Sequence, residues 1–226
     1  MDPTMQVLFG WLMFGGTHTA LSHPPVRDRL VSRFGERGFL LVYSLVALAI
    51  FVPLVFAFFS QRIASPIPLP ALLRIPGIWW LTMGLMFVAL NLMVLGFSSP
   101  NPVSSLTGRS GTGAVGALRI TRHPGFMGVA VFGLAHLLVN PAPIDRAFFG
   151  GAVVYSILGC AHQDWRRRRA GGAELEHFFA ETSLLPFVAI LQGRNRLVVG
   201  ELRRGALVVA AALFVVVFFT HHRLFA

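Results

Sequence analysis

The sequence predicts an all-α fold, a polytopic membrane bundle of about six transmembrane helices, from its composition, its hydropathy pattern and its charges. Hydrophobic residues make up 55% of the 226 residues and charged residues only 12%, far from the balance of a soluble domain. Six apolar stretches are each close to the ~17–25 residues that cross a bilayer as a helix. They cover residues 5–22, 39–60, 77–97, 124–140, 147–162 and 205–220.

The arginines indicate an orientation. All 19 basic residues are arginine, and 15 of them lie in alternate connecting segments, 22–38, 98–123 and 163–204. The other 4 lie in segments 61–76 and 141–146 and in the C-terminal tail. Positive charge stays on the cytoplasmic side of a membrane. We therefore expect both termini on the non-cytoplasmic side of a bacterial inner (cytoplasmic) membrane.

The chain is expected to form one domain over residues 1–226, with the lipid bilayer as a partner. Residues 1–4 lack the positive region and cleavage site of a signal peptide, so the first stretch is expected to be kept. The net charge of +10 is explained by topology, because the arginines lie in short segments between apolar stretches. No nucleic-acid partner is expected.

Turn-forming residues and prolines set the expected helix boundaries. Residues 98–113 are rich in turn formers and are not expected to form a membrane helix. Proline suits the first helical position, so the fourth helix is expected to begin at Pro124, with His123 at its cap. Residues 174–190 are polar first and apolar later, which predicts a short cytoplasmic helix followed by an interfacial segment.

Two histidines lie inside apolar stretches, His18 in the first and His136 in the fourth. An ionisable side chain within a membrane helix indicates a function, and neutral imidazole binds iron, copper and zinc. The structural alternative is a neutral ring hydrogen-bonded to another helix. None of the nine acidic residues lies in the middle of a stretch, which favours non-covalent haem over a carboxylate-bridged metal pair.

Spacing limits the possible ligand pairs. His123 and His136 are about 20 Å apart along one helix and cannot bind the same iron. His18 and His136 differ in expected depth by roughly 10 Å, which helix tilt reduces only in part. Cys160 is the only cysteine, so the chain contains neither an internal disulfide nor a covalent haem attachment motif.

Two motifs resemble the NnrU family, which includes the 15-cis-zeta-carotene isomerases of plants and bacteria. They are RITRHP at residues 119–124 and GLAHLLVN at residues 133–140. The resemblance implies haem b with His18 and His136 as axial ligands, a redox-dependent cis–trans isomerisation of a hydrophobic polyene in carotenoid biosynthesis, and an unidentified electron donor. It names no catalytic residue. The candidate cofactor-binding residues are His18, His136, His123, His162 and Arg122.

Other functions stay open at this stage. NnrU proteins proper are associated with denitrification, as accessory proteins of nitrite and nitric oxide reduction without a substrate of their own. A membrane methyltransferase that uses S-adenosylmethionine is a further alternative, in which Arg122, His123 and Glu174 bind the methyl donor. The structural alternative is that the His123 imidazole caps the fourth helix and that Arg122 contacts a lipid phosphate or the corner at Gln163 and Asp164.

Overall fold

A computed structural model of the protein describes residues 2–64, 75–104 and 113–225, and these residues form helices and turns without a strand. Nine α-helices follow in chain order within these ranges. They are α1 (Pro3–Ser22), α2 (Pro24–Ala64), α3 (Pro76–Phe97), α4 (Ala117–Ile120), α5 (Pro124–Val139), α6 (Pro143–Ala170), α7 (Ala173–Glu181), α8 (Val188–Leu191) and α9 (Arg204–Phe225). A 3-10 turn, Val199–Glu201, precedes α9.

The predicted all-α membrane class is confirmed by the lengths and composition of these helices. Four of them are long and apolar enough to cross a membrane, over Pro24–Arg62, Pro76–Phe97, Pro143–Ala170 and Arg204–His221. α5 is apolar but shorter, and α1 is not among the four. Six crossings and the placement of both termini therefore stay predictions.

The six long helices pack in the order α2–α1–α6–α5–α3–α9. Contacts between residues fix their relative directions. Trp11 and His18 of α1 contact Phe148 and Tyr155 of α6, so α1 and α6 run parallel. The other neighbours in this order run antiparallel, as His18 against Tyr43 and Trp11 against Phe51 illustrate for α1 and α2. Consecutive long helices thus alternate in direction along the chain.

The arginine-rich connecting segments meet at one end of this bundle. The Arg166 guanidinium donates to the Ser22 carbonyl at 3.0 Å, and the Arg167 guanidinium donates to the Val103 carbonyl at 3.1 Å. These bonds join the three segments that the arginine distribution assigned to one side of a membrane. At the opposite end, Arg62 of α2 forms a 3.0 Å ion pair with Asp145 of α6, a carboxylate that is only 1% exposed.

The start of α5 agrees with the prediction, since His123 is its N-cap residue and Pro124 its first residue.

Two connecting segments are more helical than expected. α2 begins at Pro24 and breaks at Gly35, whose φ of 70° lies in the left-handed region that glycine tolerates. α6 continues to Ala170, because arginines in its last turn interact favourably with the helix dipole.

A short helix is present where the sequence predicts one, followed by a separate helical turn, while its placement on the cytoplasmic side stays a prediction. α7 ends at Glu181, and a single turn, α8, begins at Val188. Pro186 lies between them, where its ring prevents a continuous helix. Phe187 follows with a φ of 65°.

Glycines bring α5 close to both of its neighbours. A Cβ atom built on Gly96 of α3 would overlap the backbone of Gly125 on α5. A Cβ on Gly128 would lie 2.7 Å from the Ala89 carbonyl oxygen, and one on Gly133 would lie 2.8 Å from the Phe149 carbonyl oxygen. Neighbouring backbones thus occupy the space beside these glycines.

We predict that Gly96→Ala destabilises the protein by about 1–3 kcal/mol, because a backbone clash cannot be relieved by a change of side-chain rotamer. Gly84→Ala on the same helix is the matched control, since a Cβ there meets no atom within 4 Å. The measurement is the unfolding midpoint of each variant in detergent micelles. Equal midpoints for the two variants would contradict this account of α3–α5 packing.

Candidate functional site

A buried charged cluster lies where the start of α5 meets the end of α6. His123 Nε2 donates to one carboxylate oxygen of Asp164 at 2.7 Å, and Arg122 Nε lies 3.5 Å from the other. His123 is 3% exposed, Arg122 6% and Asp164 8%. The contact of Arg122 with Asp164 that sequence analysis offered as a structural alternative is therefore present, whereas the His123 side chain makes no cap hydrogen bond and pairs with Asp164 instead.

The Arg122 guanidinium is enclosed on several sides. It donates to the Thr182 carbonyl at 3.0 Å and lies 4.7 Å from the ring centre of Phe179. Burial lowers the pKa of Arg122, and the Asp164 carboxylate opposes that shift. Nε and one terminal nitrogen of Arg122 have no hydrogen bond within the described ranges. The charge is thus held mainly by its ion pair and by one carbonyl.

Hydrogen bonds to the Arg122 backbone tie two further chain segments to this cluster. The Asn101 side-chain amide donates to the Arg122 carbonyl at 2.8 Å, and the Arg122 N–H donates to the Ser183 carbonyl at 2.9 Å. A cavity of about 20 Å³ beside His123, Asn101 and Gln163 has room for one water-sized molecule. The cluster is well suited to fix the fold at this end and offers no space for a large ligand.

A second ion pair, which the sequence analysis missed, stabilises the same end. Arg119 donates two hydrogen bonds to Glu201, at 2.7 and 2.8 Å, and the Gly116 N–H donates a third at 2.9 Å. These bonds favour the charged carboxylate and lower the pKa of Glu201 from 4.5 to about 2. The partners are 82 residues apart, so no local pattern indicates the pairing.

His18 lies in an aromatic environment between α1, α2 and α6. Its ring centre is 4.7 Å from that of Phe14, 4.3 Å from Tyr43 and 5.7 Å from Tyr155. The Tyr43 hydroxyl donates a long 3.5 Å hydrogen bond to the His18 carbonyl. These residues form the His18 cluster, and the tyrosines are members that sequence analysis did not identify.

His136 has a different environment, between α5 and α6. Its Nδ1 donates to the Phe132 carbonyl at 3.0 Å, and its ring stacks on Phe149 with centres 4.3 Å apart. This hydrogen bond leaves the Nε2 lone pair of a neutral imidazole available as a ligand. The ring centre of His221, on α9, lies 6.3 Å from the ring centre of His136.

The structure does not bring His18 and His136 together. Their contacts on α6, Tyr155 and Phe149, are six residues apart, or about 9 Å along the axis and about 120° around it. A metal ion lies about 2 Å from each imidazole nitrogen that binds it. In this arrangement the two rings therefore do not fit one iron, and the axial pair stays a prediction.

The remaining candidates are also separated from this pair. The His162 ring centre lies 5.9 Å from that of His23 and 5.7 Å from that of Trp165, and those two rings stack on each other at 5.3 Å near the arginine-rich end. Glu174 is exposed on α7 and has no contact with Arg122 or His123 among the residues described. Within the same ranges, no group of three or more His, Cys, Asp or Glu side chains could hold a metal ion.

We predict that Asp164→Asn lowers the free energy of unfolding by about 3–5 kcal/mol, because it leaves the buried Arg122 charge without its partner. Glu174→Gln, which removes an exposed carboxylate, is the control and should leave stability unchanged. Detergent or thermal unfolding of the purified protein measures both. A loss of similar size in the two variants would show that Asp164 has no special structural role.

The Arg119–Glu201 pair predicts a pH dependence. The folded pKa of Glu201 lies below its ordinary value, so the stabilisation is fully present above about pH 5 and is lost as pH falls toward 2. We expect Glu201→Gln to be less stable than the natural chain at pH 6. The difference should shrink at pH 3, as unfolding midpoints at the two values can show. A difference independent of pH would contradict the ion pair.

Comparison with known proteins supports the resemblance of the two motifs. The sequence model of the family described as "NnrU protein" matches residues 6–226. The chain is 26% identical over 202 residues to the chloroplastic 15-cis-zeta-carotene isomerase of Arabidopsis thaliana, which covers 86% of this chain and 52% of that protein. It is 34% identical over 82 residues to the chloroplastic 15-cis-zeta-carotene isomerase of Zea mays, which covers 36% of this chain and 22% of that protein.

The chain thus spans about half the length of the Arabidopsis protein. No solved structure matches the chain. The family match covers nearly all of the helices described above, including the start of α5 with Arg122 and His123, and His136 further along α5. The chain belongs to the NnrU family.

Proposed function

We propose that this protein isomerises a cis double bond of a hydrophobic polyene within a membrane. The observation that carries the proposal is the similarity to the Arabidopsis zeta-carotene isomerase over 86% of the chain. The helices support it, because a polyene dissolves in the bilayer that such apolar segments occupy. We also propose six crossings of a bacterial inner membrane, with both termini on the non-cytoplasmic side.

The His18 cluster is the environment best suited to a conjugated chain. Aromatic rings pack well against the flat face of a polyene, and Phe14, Tyr43 and Tyr155 surround the imidazole there. The imidazole is only partly buried. Residues of this cluster would orient the substrate, while the surrounding apolar helices would keep water from it.

Haem b is the cofactor we propose, and the protein's histidines would supply its axial ligands. His136 is a suitable ligand, because the Phe132 carbonyl holds its Nδ1 and leaves Nε2 unprotonated. The arrangement described does not fit His18 and His136 to one iron, so no chemical step is assigned to the cofactor. His221 is included in the test because its ring is near that of His136.

A second candidate function follows from the family itself. The family model is described as NnrU, and proteins of that kind are associated with nitrite and nitric oxide reduction. In that case the histidines would bind haem without a polyene substrate. The methyltransferase alternative has less support, since Glu174 is exposed while Arg122 and His123 are paired with Asp164.

Expression in a pigment-producing host that lacks its own zeta-carotene isomerase tests the reaction. We predict that the natural chain converts the accumulated cis isomer, that His18→Ala and His136→Ala lower conversion at least tenfold, and that the exposed His177→Ala does not. Separation of carotene isomers by chromatography is the measurement. Absence of conversion by a folded, membrane-inserted protein would contradict an isomerase and favour the accessory role.

The cofactor is tested separately with oxidised and reduced visible spectra of purified protein from a haem-sufficient host. We expect a haem b spectrum that His136→Ala weakens or shifts. A change with His18→Ala supports the pair implied by the family, whereas a change with His221→Ala but not His18→Ala assigns the second ligand to α9. A colourless natural chain would overturn haem binding.

A further inference from the structure

A cavity of about 320 Å³ lies beside the C-terminal end of α6, outside the clusters described above. Its walls are formed by the last turn of α6, the glycine turn at residues 171–172 and α7. Arg167 and Arg168 line it on one side, and Leu175 and Phe179 line it on another. The cavity therefore combines two cations with an apolar wall.

Arg168 is the cation best placed to meet a ligand. Its guanidinium lies 4.2 Å from the ring centre of Phe179, and the side chain is exposed. In the described part of the chain, no hydrogen bond or ion pair engages it. Arg167, in contrast, donates to the Val103 carbonyl and contributes mainly its charge. Planar stacking on Phe179 restricts Arg168 and leaves its N–H groups free for a new acceptor.

The charges near the cavity favour an anion. Arg122 lies 4.7 Å from the centre of the same Phe179 ring, but its charge is paired with Asp164, so the positive charge at the cavity comes from Arg167 and Arg168. Glu176 is the acidic side chain that lines this cavity, and it weakens the field without cancelling it. A phosphate oxygen pair matches the fork of an arginine side chain, as a carboxylate does.

The position along α6 indicates which kind of anion this is. The predicted apolar stretch ends at residue 162, and Trp165 follows, exposed on the helix surface. Tryptophan prefers the interface between hydrocarbon and water. Arg168 lies about one turn beyond Trp165, or about 5 Å, which is the level of lipid phosphates. Leu175 and Phe179 form the apolar wall of the cavity beside Arg168.

We propose that this cavity binds the headgroup phosphate of an anionic phospholipid. The lipid enters from the membrane beside α6, its phosphate accepts hydrogen bonds from Arg168, and its upper acyl segment contacts Leu175 and Phe179. Bound there, it bridges α6 and α7 at the arginine-rich end. This role does not depend on the isomerase reaction or on haem.

The test is binding of phosphatidylglycerol to the full chain in nanodiscs of phosphatidylcholine, counted by native mass spectrometry as phosphatidylglycerol is added. We expect Arg168→Gln to weaken retention about tenfold, the loss of one charge-assisted interaction. Glu176→Gln should strengthen it about twofold, because it removes the opposing charge. Arg169→Gln is the matched control, since this neighbouring arginine lies over Trp165 and does not line the cavity.

Each outcome decides the proposal. Opposite effects of Arg168→Gln and Glu176→Gln, with Arg169→Gln unchanged, support a specific site, since a general loss of stability would not strengthen binding in any variant. If Arg168→Gln and Arg169→Gln weaken lipid retention equally, the effect comes from net charge alone, and the proposed site is overturned. Displacement of the lipid by millimolar inorganic phosphate would assign the cavity to a soluble phosphate instead.

Discussion

The Asp164 carboxylate determines how one end of this bundle is assembled. It is buried between Arg122 and His123, and the loss of any one partner would leave a charge or a polar group in an apolar setting. The same Arg122 is bonded to Thr182, so the segment after α7 is held against the start of α5. Packing of α5 on α6, and the position of the segment that follows α7, depend on this cluster.

Glycines impose a second constraint, at the level of the backbone. α5 lies so close to α3 and α6 that side chains larger than hydrogen do not fit at Gly125, Gly128 or Gly133. Small residues on a membrane helix allow close approach of either a neighbouring helix or a flat cofactor. Neighbouring helices occupy the space, and the histidine that faces α6 from the same helix is left in contact with Phe149.

Sequence reasoning predicted the parts of the fold that depend on local pattern. The lengths of the apolar stretches predicted the long helices, and Pro124 predicted the start of α5. The arginine distribution distinguished the connecting segments at one end of the bundle from those at the other end. Helical extension beyond the apolar stretches was missed, because arginine is a good helix former and hydropathy does not report on it. The number of crossings still depends on α1 and α5, which are the least clear by length and composition.

The candidate site was less predictable, because it depends on distance in space. Asp164 could be placed near Arg122 from the matching ends of two helices, whereas the Arg119–Glu201 pair joins residues with no shared pattern. The depth difference estimated between His18 and His136 is present, and α6 adds a lateral separation that spacing could not show. Tyr43 and Tyr155 became visible as neighbours of His18 only through helix order.

That helix order affects how an apolar molecule reaches the protein. Each long helix packs chiefly against the next in the order α2–α1–α6–α5–α3–α9, and at most 33% of any candidate span is buried inside the protein. Grooves between adjacent helices are therefore open sideways. A rod-shaped solute could lie lengthwise in such a groove after diffusing in the plane of the membrane. Its supply would then be governed by partitioning into lipid, and its solubility in water would have little influence on the rate of encounter.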